Sequence, residues 1–393
     1  MITLSTMNPN SLFLSCLLLT GASKGGELQL QATNPLAIAR SRETLELTAA
    51  QLAPLATEDL RKIHIRDTSG QEILCQAVDS DFDPYHTPDR VVFQADFAPS
   101  ETLSFTISSG PKQTFQKKDF RVFGRFNRER FDDFAWENDR IAHRTYGQAL
   151  ETWDGEPLIS STIDIWSKRT EKPIINDWYL ADDYHADHGE GADFYSAGLS
   201  RGCGALGIWA SDRLWTSRNF TASRVLANGP IRLIFELDYE PWRIGGTAVS
   251  EVKRVTLDAG SQLNHFQSTF HSLTRPDQPV ELTVGIGLRK TPGDTAATDS
   301  AKGWLSQWEP VSGKNGMQGL AVWLDPETLT GQAEDELNRL VLAKLPSDGT
   351  LNYWSGFAWD RAGIITDFAA WQTYLKNFAA FQQSPIEVTL TAP

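Results

Sequence analysis

Asn228-Gly-Pro-Ile-Arg-Leu-Ile-Phe-Glu-Leu-Asp-Tyr239 begins as a turn and continues as an alternation. Ile231, Leu233, Phe235, Leu237 and Tyr239 fall on one side of an extended chain, and Arg232, Glu236 and Asp238 on the other. A period of two marks a strand with one buried face, and Asn-Gly-Pro supplies the turn that introduces it. One-faced strands belong to antiparallel sheets, whereas the strands of a parallel α/β sheet are covered on both sides and run continuously apolar.

The same pattern extends in both directions. Leu263, His265, Gln267, Thr269 and His271 share a face, with Phe266 and Phe270 on the other, and the runs Val280–Ile286, Gly319–Leu324 and Leu340–Ala343 add strands. Nearer the N-terminus, Glu27–Gln31, Thr44–Leu47, Ile63–Ile65, Val91–Ala95 and Leu103–Ile107 alternate in shorter runs. Residues 110–118 then break the pattern with Gly, Pro and like charges. The sequence therefore predicts a mostly β protein, a small β-sandwich over 27–112 followed by a large antiparallel β-sandwich over 119–393. One helix stands out over 367–381, where Phe368, Trp371, Leu375 and Phe378 recur at helical spacing behind Thr366 as N-cap.

A chain of 393 residues has room for two such units. Its formal charge of −14 argues against nucleic acid or an anionic membrane as partner, so an anionic ligand needs a local basic pocket. Thirteen Trp, twenty Phe and eight Tyr can fill sandwich cores and also offer flat faces to sugars. Cys16, Cys75 and Cys203 are too few for a disulfide framework. The short apolar run over 11–22 ends in Thr20-Gly-Ala22, a signal-peptide pattern that removes residues 1–22 and places the mature protein in the periplasm or outside the cell.

Two segments carry chemistry. Residues 125–147 set Arg125, Arg128, Arg130, Arg140 and Arg144 among aromatic residues. Guanidinium forks bind carboxylates or sulfates bidentately, and neighbouring rings stack on pyranose faces. The alternative is an ion-pair network in which Asp132, Asp133, Glu137 and Asp139 hold those arginines. Residues 182–193 contain five carboxylates with His185 and His188 and no Lys or Arg, so their repulsion needs a proton, a cation or an arginine from elsewhere. His185, Asp187 and His188 are candidate ligands for a divalent metal such as zinc, although their spacing matches no tight zinc signature; otherwise the histidines, Tyr184 and Tyr195 are available for acid–base work, or the segment is an acidic surface loop. Lys168 and Arg169, after Ile163-Asp-Ile-Trp-Ser167, read as solvated. No Gly-rich phosphate loop and no Gly-x-Ser-x-Gly elbow occurs.

The motifs RFDDFAWENDRIAHRTYG (130–147) and YHADHGEGADFYSAGLSRGCG (184–204), followed by NGPIR, resemble a family labelled as a domain of unknown function and found in gene clusters for pectin and ulvan breakdown. The resemblance covers most of residues 27–390. It implies a secreted or periplasmic sandwich of the galactose-mutarotase and polysaccharide-lyase kind, and dehydration of uronic-acid-terminated oligosaccharides to a 4,5-unsaturated sugar. That reaction removes the C5 proton and expels the 4-hydroxyl, so it needs a cation on the substrate carboxylate, a base and an acid. Residue type and position offer Arg201, with Arg128 second, for the carboxylate, His143 or His185 as base, and His188 or Tyr195 as acid. Glu190 is placed to orient a histidine, and Arg125, Arg144, Tyr184 and His265 are further candidates to bind the sugar. No cofactor is required by this reading. A lyase expelling a glycosidic oxygen uses the same three groups, and a non-catalytic carbohydrate-binding protein is the alternative of a different class.

Overall fold

The computed structural model describes residues 26–81, 85–274 and 281–391. The expected signal peptide over 1–22, with Cys16, lies outside the described residues. All named strand pairs are antiparallel, and the protein is mostly β, as the alternating runs predict.

Two sheets form the N-terminal unit. Arg40–Thr48, Arg90–Phe97 and Cys75–Val78 make one, and Glu27–Thr33, Thr102–Ser109, Ile63–Asp67 and Glu72–Ile73 make the other, whose outer edge is Glu387–Thr391 from the far end of the chain. Every second residue points inward, so Leu28, Leu30, Leu45, Leu47, Phe93, Phe105 and Ile107 close one core. Within 119–393, residues 387–391 thus pack with the small sandwich and not with the large one.

The larger unit has three sheets. Eight strands run in the spatial order Phe220–Asn228, Arg232–Ile244, Thr247–Asp258, Leu263–Ser272, Thr350–Trp359, Met317–Trp323, Trp304–Pro310, Thr295–Asp299. The opening stretch supplies the second of these: Leu233, Phe235, Leu237 and Tyr239 enter the main core, as their alternation requires. A five-stranded sheet centred on Cys203–Ala210 and Thr283–Arg289 contributes Leu206, Ile208, Val284 and Ile286 to the same core. The third sheet, also of five strands, is ordered Gly191–Ala192, Asp164–Lys168, Ala142–Thr145, Asp133–Asn138, Val122–Asn127. Phe134 of this sheet stacks on Phe235 with centroids 4.1 Å apart, and emptying such a buried aromatic position costs on the order of 3–5 kcal/mol.

The helix is Phe368–Gln383, and its N-cap is Asp367, not Thr366: the Asp367 carboxylate accepts the Ala370 N–H at 2.8 Å. Cys75 and Cys203 are buried free thiols, each pushed up to about 12 by burial, which leaves them unreactive. Among the described residues no helix is long and apolar enough to cross a membrane.

Candidate active site

Strand parity divides the first chemical motif. Across the third sheet Arg144 stands opposite Ala135 and Asp164, while His143 stands opposite Trp136 and Ile165. One face of that sheet, with Phe134, Trp136, His143 and Ile165, turns into the protein. The other, with Asp133, Arg144, Asp164 and Trp166, turns outward and is roofed by the helix Ile175–Ala181 and the loop that follows it.

His143 is consequently corrected from base to core residue. It is fully buried, stacked on Trp136 with centroids 5.2 Å apart, with its Nε2 3.2 Å from the amide nitrogen of Asn264. Burial pushes its pKa down to about 3, which favours the neutral ring. Arg201 is likewise interior, 3 % exposed; its guanidinium donates to Ser161 Oγ at 3.1 Å and lies 3.4 Å from Ser160 Oγ and the Leu199 carbonyl, and burial lowers its pKa to about 10. Tyr195 is also inside, under the Arg289 guanidinium 4.1 Å from its ring centre, and burial raises its phenol well above the usual range. These three face the packed interior instead of the roofed cluster.

On the outward face the structure assembles a charged cluster. Arg144 donates to Asp164 at 2.6 Å and to Asp193 at 3.1 Å, and its Nε lies 3.9 Å from Asp133. Asp133 is the same-face diagonal neighbour of Arg144 across the strand pair. Tyr146 donates to Asp164 at 3.0 Å. All three carboxylates are buried and share this one arginine. Burial therefore pushes Asp133 up to about 7, against the pull of Arg144, and raises Asp193 well above the usual carboxylate range, with Asp164 adding to the effect. Asp133 Oδ1, Asp193 Oδ1, Arg130 Nε, Arg144 Nε and Tyr179 Oη are buried with no hydrogen-bond partner within the protein.

The rim is built on Tyr184. Its hydroxyl accepts from Arg130, whose guanidinium sits 5.0 Å from the ring centre, and the ring of His185 lies 4.5 Å from its own. His185 is 67 % exposed at the side chain, and its Nδ1 is 3.0 Å from the Asp193 carbonyl oxygen and 3.7 Å from its carboxylate. A carbonyl only accepts, so Nδ1 carries the proton and Nε2 offers a lone pair outward. Arg130, 26 % exposed, also forms a weak pair with the solvated carboxylate of Asp182 at 3.6 Å.

The other expected residues divide. Arg144 is engaged by Asp164 and Asp193 through one terminal nitrogen and positions the cluster. Asp187 pairs with Arg169 and caps the N–H groups of Gly189 and Gly191, His188 bonds Asp183 at 2.9 Å, and His185 meets the Asp193 carbonyl, so His185, Asp187 and His188 turn to three separate partners. Among the described residues, the one group of three possible ligands within 4.8 Å of one another is Asp79, Asp81 and Asp89. Glu190 is half-buried and its carbonyl accepts the Arg169 N–H, which ties down the loop. Arg125 bonds Asn176 at 2.7 Å and pairs with Glu129, and Arg128 is exposed on the same turn. His265 lies on the eight-stranded sheet, stacked on Trp354, away from this cluster. Lys168 is not solvated: it is buried against Glu137 at 2.7 Å, and Glu137 also accepts the N–H groups of Ile174 and Ile175, pinning the roofing helix.

Tyr146 and Tyr179 carry no mark in the sequence that sets them apart, whereas Arg130, Asp133 and Asp193 belong to its groups of arginines and carboxylates. The signal for Asp164 is an acid between the apolar Ile163 and Ile165. The ion-pair alternative holds for Asp133, which meets Arg144, whereas Asp139 pairs with Arg42 and Glu137 with Lys168, partners that both lie outside the motif.

A family model described as a domain of unknown function, DUF4861, matches residues 32–388. The chain belongs to that family. It is 30% identical over 398 residues to a protein from Formosa agariphila named "Uncharacterized protein P7", covering 97% of this chain and 96% of the relative. Among solved structures it resembles an α-mannosidase from Enterococcus faecalis V583, with a TM-score of 0.50 and 11% identity over 93% of this chain and 46% of that one. A glycosyl hydrolase family 38 protein from the same species gives a TM-score of 0.49 at 12% identity, over 93% of this chain and 47% of that one. The chain spans about half the length of the solved structures it matches, and at this identity the likeness is one of fold.

Proposed function

We propose that this protein is a carbohydrate dehydratase that eliminates water from the non-reducing-end uronic acid of anionic oligosaccharides. The observation that supports the reading is the meeting of an imidazole and a guanidinium at one tyrosine: His185 and Arg130 both contact Tyr184. The motifs at 130–147 and 184–204, which resemble the family associated with this activity, supply those three residues. The fold shared with a structure described as an α-mannosidase agrees with a sugar substrate.

In this mechanism Arg130 holds the sugar carboxylate and stabilises the charge that develops on it. His185 Nε2 takes the C5 proton while its Nδ1–H remains on the Asp193 carbonyl, and the neighbouring Asp193 and Arg144 fix the ring. His188, bonded to Asp183, gives its proton to the departing 4-hydroxyl. The C5–H electron pair becomes the C4=C5 double bond, the C4–O bond breaks, and water leaves. No metal or other cofactor takes part in these steps. Export through the segment 1–22 to the periplasm or beyond, where such oligosaccharides are met, belongs to the same proposal.

The test is incubation with a glucuronyl-terminated oligosaccharide, followed by mass spectrometry and ultraviolet absorbance. The proposal expects a product lighter by one water that absorbs in the ultraviolet. Two shorter oligomers, one unsaturated, establish a lyase instead, and binding without any change in mass establishes a binding protein.

A further inference from the structure

A cleft of about 750 Å³ lies on the outward, polar face of the eight-stranded sheet, between that sheet, the strand Arg40–Thr48 and the helix Phe368–Gln383. Neither the carboxylates of the Arg144 cluster nor its rim residues line it. Its size falls within the range of about 300–1,000 Å³ usual for small-molecule sites. The strand parity that buries Leu233 and Phe235 points Arg232, Arg254, His265, Gln267 and Trp354 into this space.

The charges of the lining are already matched. Arg232 holds Asp258 through two bonds of 2.7 and 2.8 Å, Arg254 holds Glu236 at 2.7 Å, and Arg90 holds Glu46 at 2.5 Å. Arg42 pairs with Asp139, and Arg140 with Glu171 at 3.6 Å. An anion entering here would have to break an existing ion pair. An uncharged ligand would not.

The floor is an amide and ring surface. His265 stacks on half-buried Trp354 with centroids 4.2 Å apart and planes 15° from parallel. Its Nε2 lies 3.0 Å from Asn352 Oδ1, which also accepts from Gln267 Nε2 at 3.3 Å. Nε2 is therefore the donor, and His265 Nδ1 and Gln267 Oε1 are left as acceptors, with Asn352 Nδ2 a donor beside them. Burial holds the imidazole neutral. Gln262, 6 % exposed, also lines the cleft, and its buried Oε1 has no partner in the protein. Alternating donors and acceptors beside a flat ring suit the vicinal hydroxyls and apolar face of a pyranose.

We propose that this cleft is a second carbohydrate site, distinct from the Arg130–His185 rim, that takes uncharged pyranose units of an oligosaccharide. It stands independently of the dehydratase reading, because no residue of that mechanism lines it.

The test is calorimetric titration of the full chain with neutral gluco-, xylo-, manno- and galacto-configured tetrasaccharides. At least one is expected to bind, to bind equally well to His185→Ala, and to bind at least about tenfold more weakly to Trp354→Ala. Because Trp354 also packs against Trp323 and Phe378, Gln267→Ala provides a second variant that leaves the packing intact, and the same direction of change is expected. No binding of any of the four up to about 10 mM, or affinity unchanged in both variants, overturns the proposal. Water loss from a uronyl-terminated substrate is expected to continue in both variants, so its absence in the wild type counts against the dehydratase reading alone.

Discussion

Replacing Asp133 by Asn separates a protonated from an ionised carboxylate in the cluster. The Asp133 side chain is 5 % exposed and 3.9 Å from Arg144 Nε, and burial wins over that arginine, raising its pKa from 3.8 to about 7. In the unfolded chain the same carboxyl loses its proton near pH 4. Between about pH 4 and 7 the native state therefore binds the extra proton, so this residue makes stability fall as pH rises, and the fall is complete above about pH 7. A displacement from 3.8 to about 7, at about 1.4 kcal/mol for each tenfold in proton affinity, amounts to on the order of 4 kcal/mol. Asn has nearly the same shape and no proton to lose. Urea unfolding of wild type and Asp133→Asn at intervals from about pH 4 to 8 is expected to show the variant gaining on the wild type by that order up to about pH 7, then holding level. A difference independent of pH refutes the reasoning. A wild type that gains on the variant as pH rises refutes it more sharply, because that is the behaviour of an ionised Asp133 held by Arg144.

Other outcomes follow from single contacts. Lys168→Met strands Glu137 in the interior and is expected to cost about 3–5 kcal/mol, with faster amide exchange over 174–181; a cost under about 1 kcal/mol contradicts the pinning role. Gly191 has φ of +110° and a Cβ there would lie 2.0 Å from the Ser167 carbonyl, whereas Gly189, at +105°, meets nothing within 4 Å. Thermal melts should show Gly191→Ala losing at least about 2 kcal/mol and Gly189→Ala about 1 kcal/mol; equal losses contradict the close approach. Arg130→Gln is expected to raise KM for the anionic substrate about tenfold or more at nearly unchanged melting temperature, and an unchanged KM removes Arg130 from substrate binding.

The strands were legible because each carries its own evidence: the alternation at 231–239 places Leu233, Phe235 and Leu237 on the core without reference to any partner. What alternation omits is the choice of partner. Nothing local in Glu387–Thr391, whose side chains are only partly covered, marks it as the edge of the N-terminal sheet. The site was half legible for the same reason. Arg144, Tyr184 and His185 lie in the two motifs that were singled out, and adjacency in the motif drew in His143 as well, although consecutive strand residues face opposite ways. Asp164 joins Arg144 only through a strand pairing 20 residues apart, and Asp193 only through the loop that roofs the sheet. The interior positions of Arg201 and Tyr195 depend on packing with Ser160, Ser161 and Arg289, far along the chain from them.

The most direct test of the Arg130–His185 site is the rate of water loss from a glucuronyl-terminated oligosaccharide by His185→Ala, measured by mass spectrometry beside the wild type at matched folded fraction. The side chain is 67 % exposed, so the variant is expected to fold normally. The account predicts a kcat lower by about 10²–10⁴ with the same product mass in whatever turnover remains, and wild-type turnover in His185→Ala would contradict it.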